Sequence, residues 1–171
     1  MGDYAFRILN AALGSELIPA RVRNKLMRAT GFEIAADTCI WAGANFRSRR
    51  VRTGTGVFIN VGFYHDGYDS LVIGRNVRIG PFVRIITATH EIGSSEQRGL
   101  REVVGRPVRI GNACWICAGV TILPGVDVAR GCVIGANSVV HASTRPDGLY
   151  VGNPARRVRE LDVADAIPRV A

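Results

Sequence analysis

The sequence predicts an all-β protein folded as a parallel β-helix of about five coils. Aliphatic residues recur every six positions, and the residue four positions after each of them is nearly always small or β-branched. Neither an α-helix nor a simple alternating strand has a period of six, whereas a hexapeptide β-helix does. The runs assigned to the inward ladder are Ile34, Ile40 and Phe46; Val51, Val57 and Phe63; Ile73, Ile79 and Ile85; and Ile110, Ile116, Ile122, Val128, Ile134 and Val140.

In this arrangement each hexapeptide is a short strand followed by a turn, and three hexapeptides complete a triangular coil. The backbones of successive coils pair in parallel at a spacing of about 4.8 Å, with the aliphatic side chains pointing inward. Cys114 and Cys132 both occupy the small corner position. We therefore expect these two cysteines to stack in adjacent coils as core-filling free thiols.

Three segments fall outside the repeat. Residues 1–30 are expected to form an N-terminal helical cap, with a helix that opens after Pro19 and ends at Gly31. The coils span residues 31–152 and are interrupted by an extruded polar loop over residues 91–107, and a loop of this length usually carries function. Residues 153–171 form a tail, with a short C-terminal helix predicted over residues 158–166.

The composition narrows the class of protein. The chain has 171 residues, of which 47% are hydrophobic and 21% are charged, so an intrinsically disordered protein is excluded. The net charge is +8, but the arginines form no stripe with aromatic residues, and we expect no nucleic-acid partner. No apolar run approaches the roughly 18 residues of a membrane span, and no signal-peptide pattern is present. We therefore expect a cytoplasmic protein without a membrane span.

Short motifs along the coils give the sequence a family resemblance. They read VFIN at residues 57–60, TATH at 87–90, GNACWI at 111–116, ILPGV at 122–126, GANSVV at 135–140 and GNPAR at 152–156. Together, over roughly residues 31–160, they resemble the hexapeptide-repeat O-acetyltransferases of the maltose and galactoside acetyltransferase type. The resemblance implies a left-handed β-helix and a homotrimer. It also implies acetyl-CoA as co-substrate in a cleft between neighbouring prisms, and no metal.

On the acceptor side, the resemblance assigns His90 as the general base and Asn60 as a contact to a small hydroxylated acceptor. The stretch 65–69 differs from that of the relatives near the expected acceptor position. Asp66, Asp69 and His65 within it are candidate acceptor contacts, with a polar loop between coils as the equal alternative. A neutral imidazole suits a general base near physiological pH, because it can take the hydroxyl proton while the oxygen attacks the thioester.

On the donor side, the resemblance places Trp115 and the backbone around Ala118 against the pantetheine arm and the acyl group of CoA. Arg156 and Arg159 match positions near the nucleotide end of CoA. The oxyanion formed during transfer needs a preorganised donor, and a backbone N–H near Ala118 is the candidate. The resulting hypothesis is direct acetyl transfer from acetyl-CoA to a hydroxyl, without a covalent intermediate.

Three alternative functions are open at the level of the sequence. N-acylation of an amino sugar or another amine would use the same groups. A zinc hydratase on the same fold needs three converging histidines, whereas His65, His90 and His141 have uneven spacings. A catalytically silent scaffold would bind no CoA. The sequence identifies neither the acceptor nor the length of the acyl chain.

Overall fold

The computed structural model of the protein describes residues 3–161. Within these residues the chain has two helices, α1 (Asp3–Leu13) and α2 (Ala20–Ala29), followed by eighteen short strands. The strands, in chain order, are β1 (Cys39–Ile40), β2 (Asn45–Phe46), β3 (Val51–Thr53), β4 (Phe58–Ile59), β5 (Tyr64–His65), β6 (Leu71–Ile73), β7 (Arg78–Ile79), β8 (Arg84–Ile85), β9 (Ala88–Ile92), β10 (Gly99–Gly105), β11 (Val108–Ile110), β12 (Trp115–Ile116), β13 (Thr121–Ile122), β14 (Asp127–Val128), β15 (Val133–Ile134), β16 (Val139–Val140), β17 (Gly148–Val151) and β18 (Arg156–Glu160).

Three parallel sheets in the described part of the chain form the faces of a triangular prism. The first face contains β1, β4, β7, β12, β15 and β17; the second contains β2, β5, β8, β13 and β16; the third contains β3, β6, β11 and β14. Each turn runs from the first face to the second and then to the third. About six turns are stacked, which confirms the parallel β-helix. The sequence predicted about five turns, because β17 lies outside the six-residue phase and yet pairs with β15.

One part of the predicted ladder is wrong by two residues. The six-residue pattern assigned Val51, Val57 and Phe63 to the ladder. All three side chains are buried. The residues that pair in register with the ladder of the next turn, however, are Thr53, Ile59 and His65. A criterion that accepts only aliphatic and aromatic residues passes over a threonine and a histidine, so the phase of this turn could not be found from apolar residues alone.

The two helices close the N-terminal end of the prism. The helix after Pro19 is confirmed as α2, and Gly31 follows its end with a positive φ of 96°. Phe6 of α1 and Met27 of α2 join the core. The buried Arg23 guanidinium donates to four backbone carbonyl oxygens at 2.6–2.8 Å, which ties α2 to α1, to the linker between the helices and to β1.

The predicted loop over residues 91–107 is a β-hairpin. Strands β9 and β10 pair antiparallel, with His90 opposite Val103 and Ala88 opposite Gly105. The hairpin therefore begins three residues earlier than the predicted loop. Because antiparallel pairing satisfies the backbone groups of both strands, the extruded segment has its own regular structure.

The predicted C-terminal helix is wrong where the structure describes it. Residues 156–160 form β18, which pairs antiparallel with β17 at the end of the first face. An unpaired final strand would expose a row of backbone donors and acceptors, and β18 covers that edge. The remainder of the predicted helix, residues 162–166, lies outside the described residues.

Cys114 and Cys132 fill the core as predicted. Both are buried free thiols, and each immediately precedes a residue of the paired strands β12 and β15. The Cys114 sulfur donates to the Ala129 carbonyl at 3.1 Å, and the Cys132 sulfur donates to the Arg145 carbonyl at 3.2 Å. Burial raises the pKa of the Cys114 thiol to about 12, so this residue stays a neutral thiol near pH 7.

Two edges of the prism matter for the site. The first edge joins the first face to the second and contains residues 41–44, 60–63, 80–83, 117–120 and 135–138. The second edge joins the second face to the third and contains residues 47–50, 66–70, 86–107 and 123–126, including the hairpin. Neither α1 nor α2, the two helices of the described residues 3–161, has the length and apolar character that a membrane span requires.

Candidate active site

A groove along the first edge brings three of the predicted site residues together. It has a volume of about 380 Å³ and is lined by Asn60, Trp115 and Ala118, with Phe58 and Arg78 beside them. Phe58, Arg78 and Trp115 are neighbours across strands β4, β7 and β12. Each stands one position before an inward ladder residue, so all three side chains face outward from the first face.

The floor of the groove depends on a glycine. A Cβ atom on Gly80 would lie 2.7 Å from the backbone nitrogen of Ala118 and 2.9 Å from the carbonyl carbon of Cys117. Only glycine allows the turns to stack this closely, and its missing side chain leaves the Ala118 N–H uncovered. Among residues 3–161, this N–H donates to no protein acceptor. It is therefore available to a bound ligand.

Asn60 and Cys117 border the same floor. The Asn60 side-chain oxygen accepts a hydrogen bond from the Val61 N–H at 2.8 Å. This bond fixes the side chain and leaves its NH2 group as a donor at the groove. Cys117 is half-buried, and burial raises the pKa of its thiol.

His90 lies on the second edge, not on the groove. Its imidazole is exposed, and its Nδ1 atom is 2.5 Å from the Leu100 carbonyl oxygen and 3.1 Å from the Glu102 carbonyl oxygen. Because carbonyl oxygens only accept hydrogen bonds, we assign the proton of the neutral ring to Nδ1. The opposite nitrogen, Nε2, then carries a free lone pair, which is the form that a general base requires.

Asp66 and Asp69 also lie on the second edge, where they hold the base of the hairpin. The Asp66 carboxylate accepts from the Thr87 N–H at 2.8 Å, from the Ala88 N–H at 2.9 Å and from the Thr87 hydroxyl. Burial acts to raise the pKa of Asp66, but these hydrogen bonds outweigh it and lower the pKa below its ordinary value. The Asp69 N–H donates to the Thr87 hydroxyl oxygen at 2.9 Å. Contact of either aspartate with an acceptor remains a prediction.

Arg156 and Arg159 are exposed on β18 at the C-terminal end of the prism. Arg159 pairs with Leu149, which continues the outward row of Val133 and Trp115 on the first face. Arg156 lies beyond the end of the first edge, with its Nη1 atom 3.5 Å from Nε2 of His141. Both arginines therefore lie on the C-terminal side of the groove.

Sequence reasoning missed two residues. Arg78 lines the groove, and a signal for it existed, because it precedes ladder residue Ile79 as Trp115 precedes Ile116. His65 was predicted to contact the acceptor or to lie in a polar loop between coils, yet its side chain is 0% exposed inside the prism. The interior position of His65 also prevents convergence of the three histidines on one metal. Within residues 3–161, no group of three or more histidine, cysteine, aspartate or glutamate side chains could hold a metal ion.

Comparison with known proteins places the chain in a class and then in a family. A family model described as "Bacterial transferase hexapeptide (six repeats)" matches residues 107–142. The crystal structure of a hexapeptide-repeat acetyltransferase from Vibrio cholerae, in complex with acetyl coenzyme A, is 30% identical in sequence with a TM-score of 0.77. The alignment covers 93% of this chain and 88% of that protein. The fold and the repeat thus match those of the hexapeptide-repeat transferases. The chain belongs to the hexapeptide-repeat acetyltransferase family.

Two further relatives carry more specific names. A galactoside acetyltransferase in complex with coenzyme A has a TM-score of 0.77 and 26% identity, covering 94% of this chain and 83% of that one. The galactoside O-acetyltransferase of Lactococcus lactis is 33% identical over 122 residues, which are 71% of this chain and 58% of that protein. The chain spans about half the length of the curated relatives it matches.

Proposed function

We propose that the protein is an acetyl-CoA-dependent O-acetyltransferase that transfers the acetyl group directly to a hydroxyl of a sugar or a similar small acceptor. The observation that carries this proposal is the His90 tautomer, whose Nδ1–H is held by two carbonyl oxygens while Nε2 stays free. The groove with the uncovered Ala118 N–H supports it. We place the reaction in the cytoplasm, because the four cysteines are free thiols, as is usual in a reducing compartment.

The first edge suits the acyl donor. In this proposal the pantetheine arm lies against Trp115, which is 52% exposed, and the thioester carbonyl oxygen accepts from the Ala118 N–H. The chain of CoA then continues toward the C-terminal end of the prism. There Arg156 and Arg159 meet its phosphates through charge-assisted hydrogen bonds.

The chemistry uses one proton and one bond exchange. His90 Nε2 takes the proton of the acceptor hydroxyl while the oxygen attacks the thioester carbonyl carbon and forms a C–O bond. The negative charge moves to the carbonyl oxygen, where the Ala118 N–H stabilises it. When the C–S bond breaks, the imidazolium returns the proton to the CoA thiolate. The products are the acetyl ester and CoA.

The distribution of these groups over two edges supports a homotrimer. Within one chain, the second face separates His90 from the groove that contains Asn60 and Ala118. A neighbouring prism that packs its second edge against the first edge would bring the two halves together. Closed rotational symmetry then gives every copy an equivalent site. The acceptor would bind in the cleft between the two copies, near Asn60.

A pair of variants tests the role of His90. We expect His90→Gln to lower turnover on the order of a hundredfold, because the base is lost, while acetyl-CoA binding measured by calorimetry stays intact. His141→Gln, at another exposed histidine, is the matched control and should keep full turnover at saturating acetyl-CoA, because its only side-chain neighbour in the proposal is Arg156 at the donor end. Turnover is followed as thiol release from acetyl-CoA with a panel of sugars, amino sugars and hydroxylated metabolites. A His90→Gln enzyme with more than about a third of the wild-type rate contradicts the proposed mechanism.

A mixing experiment tests the shared site. His90→Gln chains and Asn60→Ala chains, each nearly inactive alone, are co-expressed with different tags, and the hybrid trimers are purified over both tags. Hybrids should regain activity, because some of their sites combine the intact His90 of one chain with the intact Asn60 of another. Hybrids as inactive as the parents, or a fully active monomer in light scattering, contradict the shared site. An enzyme that acetylates only amines indicates the N-acylation alternative.

A further inference from the structure

Arg78 occupies the junction of two grooves on the first face. It lines the groove of about 380 Å³ that contains Asn60 and Trp115. It also lines an adjoining groove of about 410 Å³, toward the N-terminal end, that contains Asp37 and Phe58. In register, Arg78 stands directly between Phe58 of the preceding turn and Trp115 of the following turn. It therefore lies between the groove that contains Asn60 and Trp115 and the adjoining groove that contains Asp37.

The Arg78 guanidinium is held in place by one hydrogen bond, and its other donors have no protein partner among the described residues. Its Nη1 atom donates to the Gly56 carbonyl oxygen at 2.7 Å, and its Cζ atom lies 6.0 Å from the centre of the Phe58 ring. Among the residues that the structure describes, no carboxylate forms an ion pair with Arg78. No hydrogen bond of Nε or Nη2 is formed within that part of the chain either. An arginine fixed on one side, with donors left over, is preorganised for an anion.

The nearest acidic residue of the adjoining groove has a structural partner. The Asp37 carboxylate accepts from the Gly56 N–H at 2.8 Å, while Arg78 donates to the carbonyl of the same glycine. Asp37 and Arg78 are thus fixed on opposite sides of one residue rather than paired with each other. The negative charge of Asp37 disfavours an anion farther along the adjoining groove, so an anionic group is favoured at Arg78 itself.

We infer that the acceptor carries an acidic group, a carboxylate or a phosphate ester, and that Arg78 binds it. This inference rests on the proposed function, because it takes Trp115 and Ala118 as the donor side of the groove. The planar guanidinium suits an oxyanion with two acceptor oxygens. With the acid at Arg78, the rest of a sugar-sized acceptor reaches Asn60, where the proposed transfer takes place.

Matched acceptors test this inference. Glucose, glucuronic acid and glucose 6-phosphate differ only at carbon 6, and the two acids separate carboxylate from phosphate recognition. We expect the wild-type protein to favour one of the acids over glucose in kcat/KM by about tenfold to a hundredfold, as charge-assisted hydrogen bonds do. Arg78→Ala should remove this preference and leave the KM for acetyl-CoA unchanged. Arg78→Lys should retain part of it, because it keeps the charge but loses the two-pronged geometry.

Arg84→Ala is the control variant, since Arg84 is an exposed arginine of the next strand, β8, on the second face. Arg84→Ala should keep the wild-type preference.

A binding measurement tests the same inference without turnover. With CoA at saturation, calorimetry measures the affinity of the two acids for the wild type and for Arg78→Ala. Equal affinities, or equal kcat/KM values for neutral and acidic sugars, overturn the inference and leave the proposed function intact. A higher KM for acetyl-CoA in Arg78→Ala, with acceptor preference unchanged, assigns Arg78 to the donor and also overturns it. Failure of the wild type to bind acetyl-CoA at all contradicts the proposed function instead.

Discussion

Replacement of His65 by leucine should stabilise the protein and flatten the dependence of its stability on pH. The imidazole is 0% exposed and takes the ladder position between Phe46 of the preceding turn and Ile85 of the following turn. Neither Nδ1 nor Nε2 makes a hydrogen bond to any described residue. A buried polar group without a partner costs about 1–3 kcal/mol. Leucine has no polar atom to desolvate, so His65→Leu should recover a similar amount at pH 7.5, less any cost of imperfect packing.

The pH dependence follows from the same burial. Burial lowers the pKa of His65, and the negative charges of Asp66 and Asp69 oppose this only in part. As the pH falls through the ordinary value of 6.5, the unfolded chain binds a proton that the folded chain does not. The folded state then loses stability on acidification and regains it as the pH rises. Between pH 7.5 and 5.5 this loss reaches up to about 1.4 kcal/mol per chain.

Urea denaturation at pH 7.5 and pH 5.5, at one fixed protein concentration, measures both effects. The fixed concentration is needed because assembly would make the apparent stability depend on concentration. His141→Leu is the control, since His141 is exposed, and it should leave the pH dependence of wild type in place. A His65→Leu variant that is less stable than wild type at pH 7.5, or that loses as much stability at pH 5.5, refutes the reasoning.

Two other expectations concern the hairpin and the CoA phosphates. Asp66→Ala removes the carboxylate oxygen that accepts from both the Thr87 N–H and the Ala88 N–H and leaves these donors unpaired, so limited proteolysis should cut the hairpin faster by about fivefold or more, which corresponds to about 1 kcal/mol or more. Glu91→Gln, which removes only a surface ion pair, is the control, and equal cutting rates would contradict the anchoring role. The Arg156→Ala/Arg159→Ala double variant should raise the KM for acetyl-CoA with little change in kcat, and a change confined to the acceptor KM would show that these arginines do not meet the donor.

The six-residue repeat made most of the fold predictable, but the inward residues were assigned incorrectly in the turn that places polar residues in the core. A six-residue period specifies the β-helix because each face needs one inward residue and each edge needs a small one. The turn that contains Thr53 and His65 broke the rule that inward residues are apolar, so its phase shifted by two residues. Strands β10 and β18 were missed for another reason. Each pairs antiparallel with a neighbour, and partner choice of this kind depends on which backbone edges are left open in three dimensions.

The candidate site residues were named from the sequence and their roles stay predictions, whereas their distribution over two edges emerged only from the structure. Asn60 follows a ladder residue of the first face, whereas the segment with His90 follows a ladder residue of the second face. Counting six residues per face assigns Asn60 to the first edge and His90 to the second edge. The count works only when the turn that contains His65 is assigned its correct inward residues.

The His90 imidazole, moreover, is positioned less by its own hexapeptide than by contacts with other parts of the chain. Asp66 in the preceding turn holds the base of the hairpin, and the carbonyls of Leu100 and Glu102 in β10 orient the ring. An imidazole fixed in this way on one edge is separated by a whole face from the groove on the other edge. If His90 is the base, as proposed, the groove that it serves therefore belongs to a second copy of the chain.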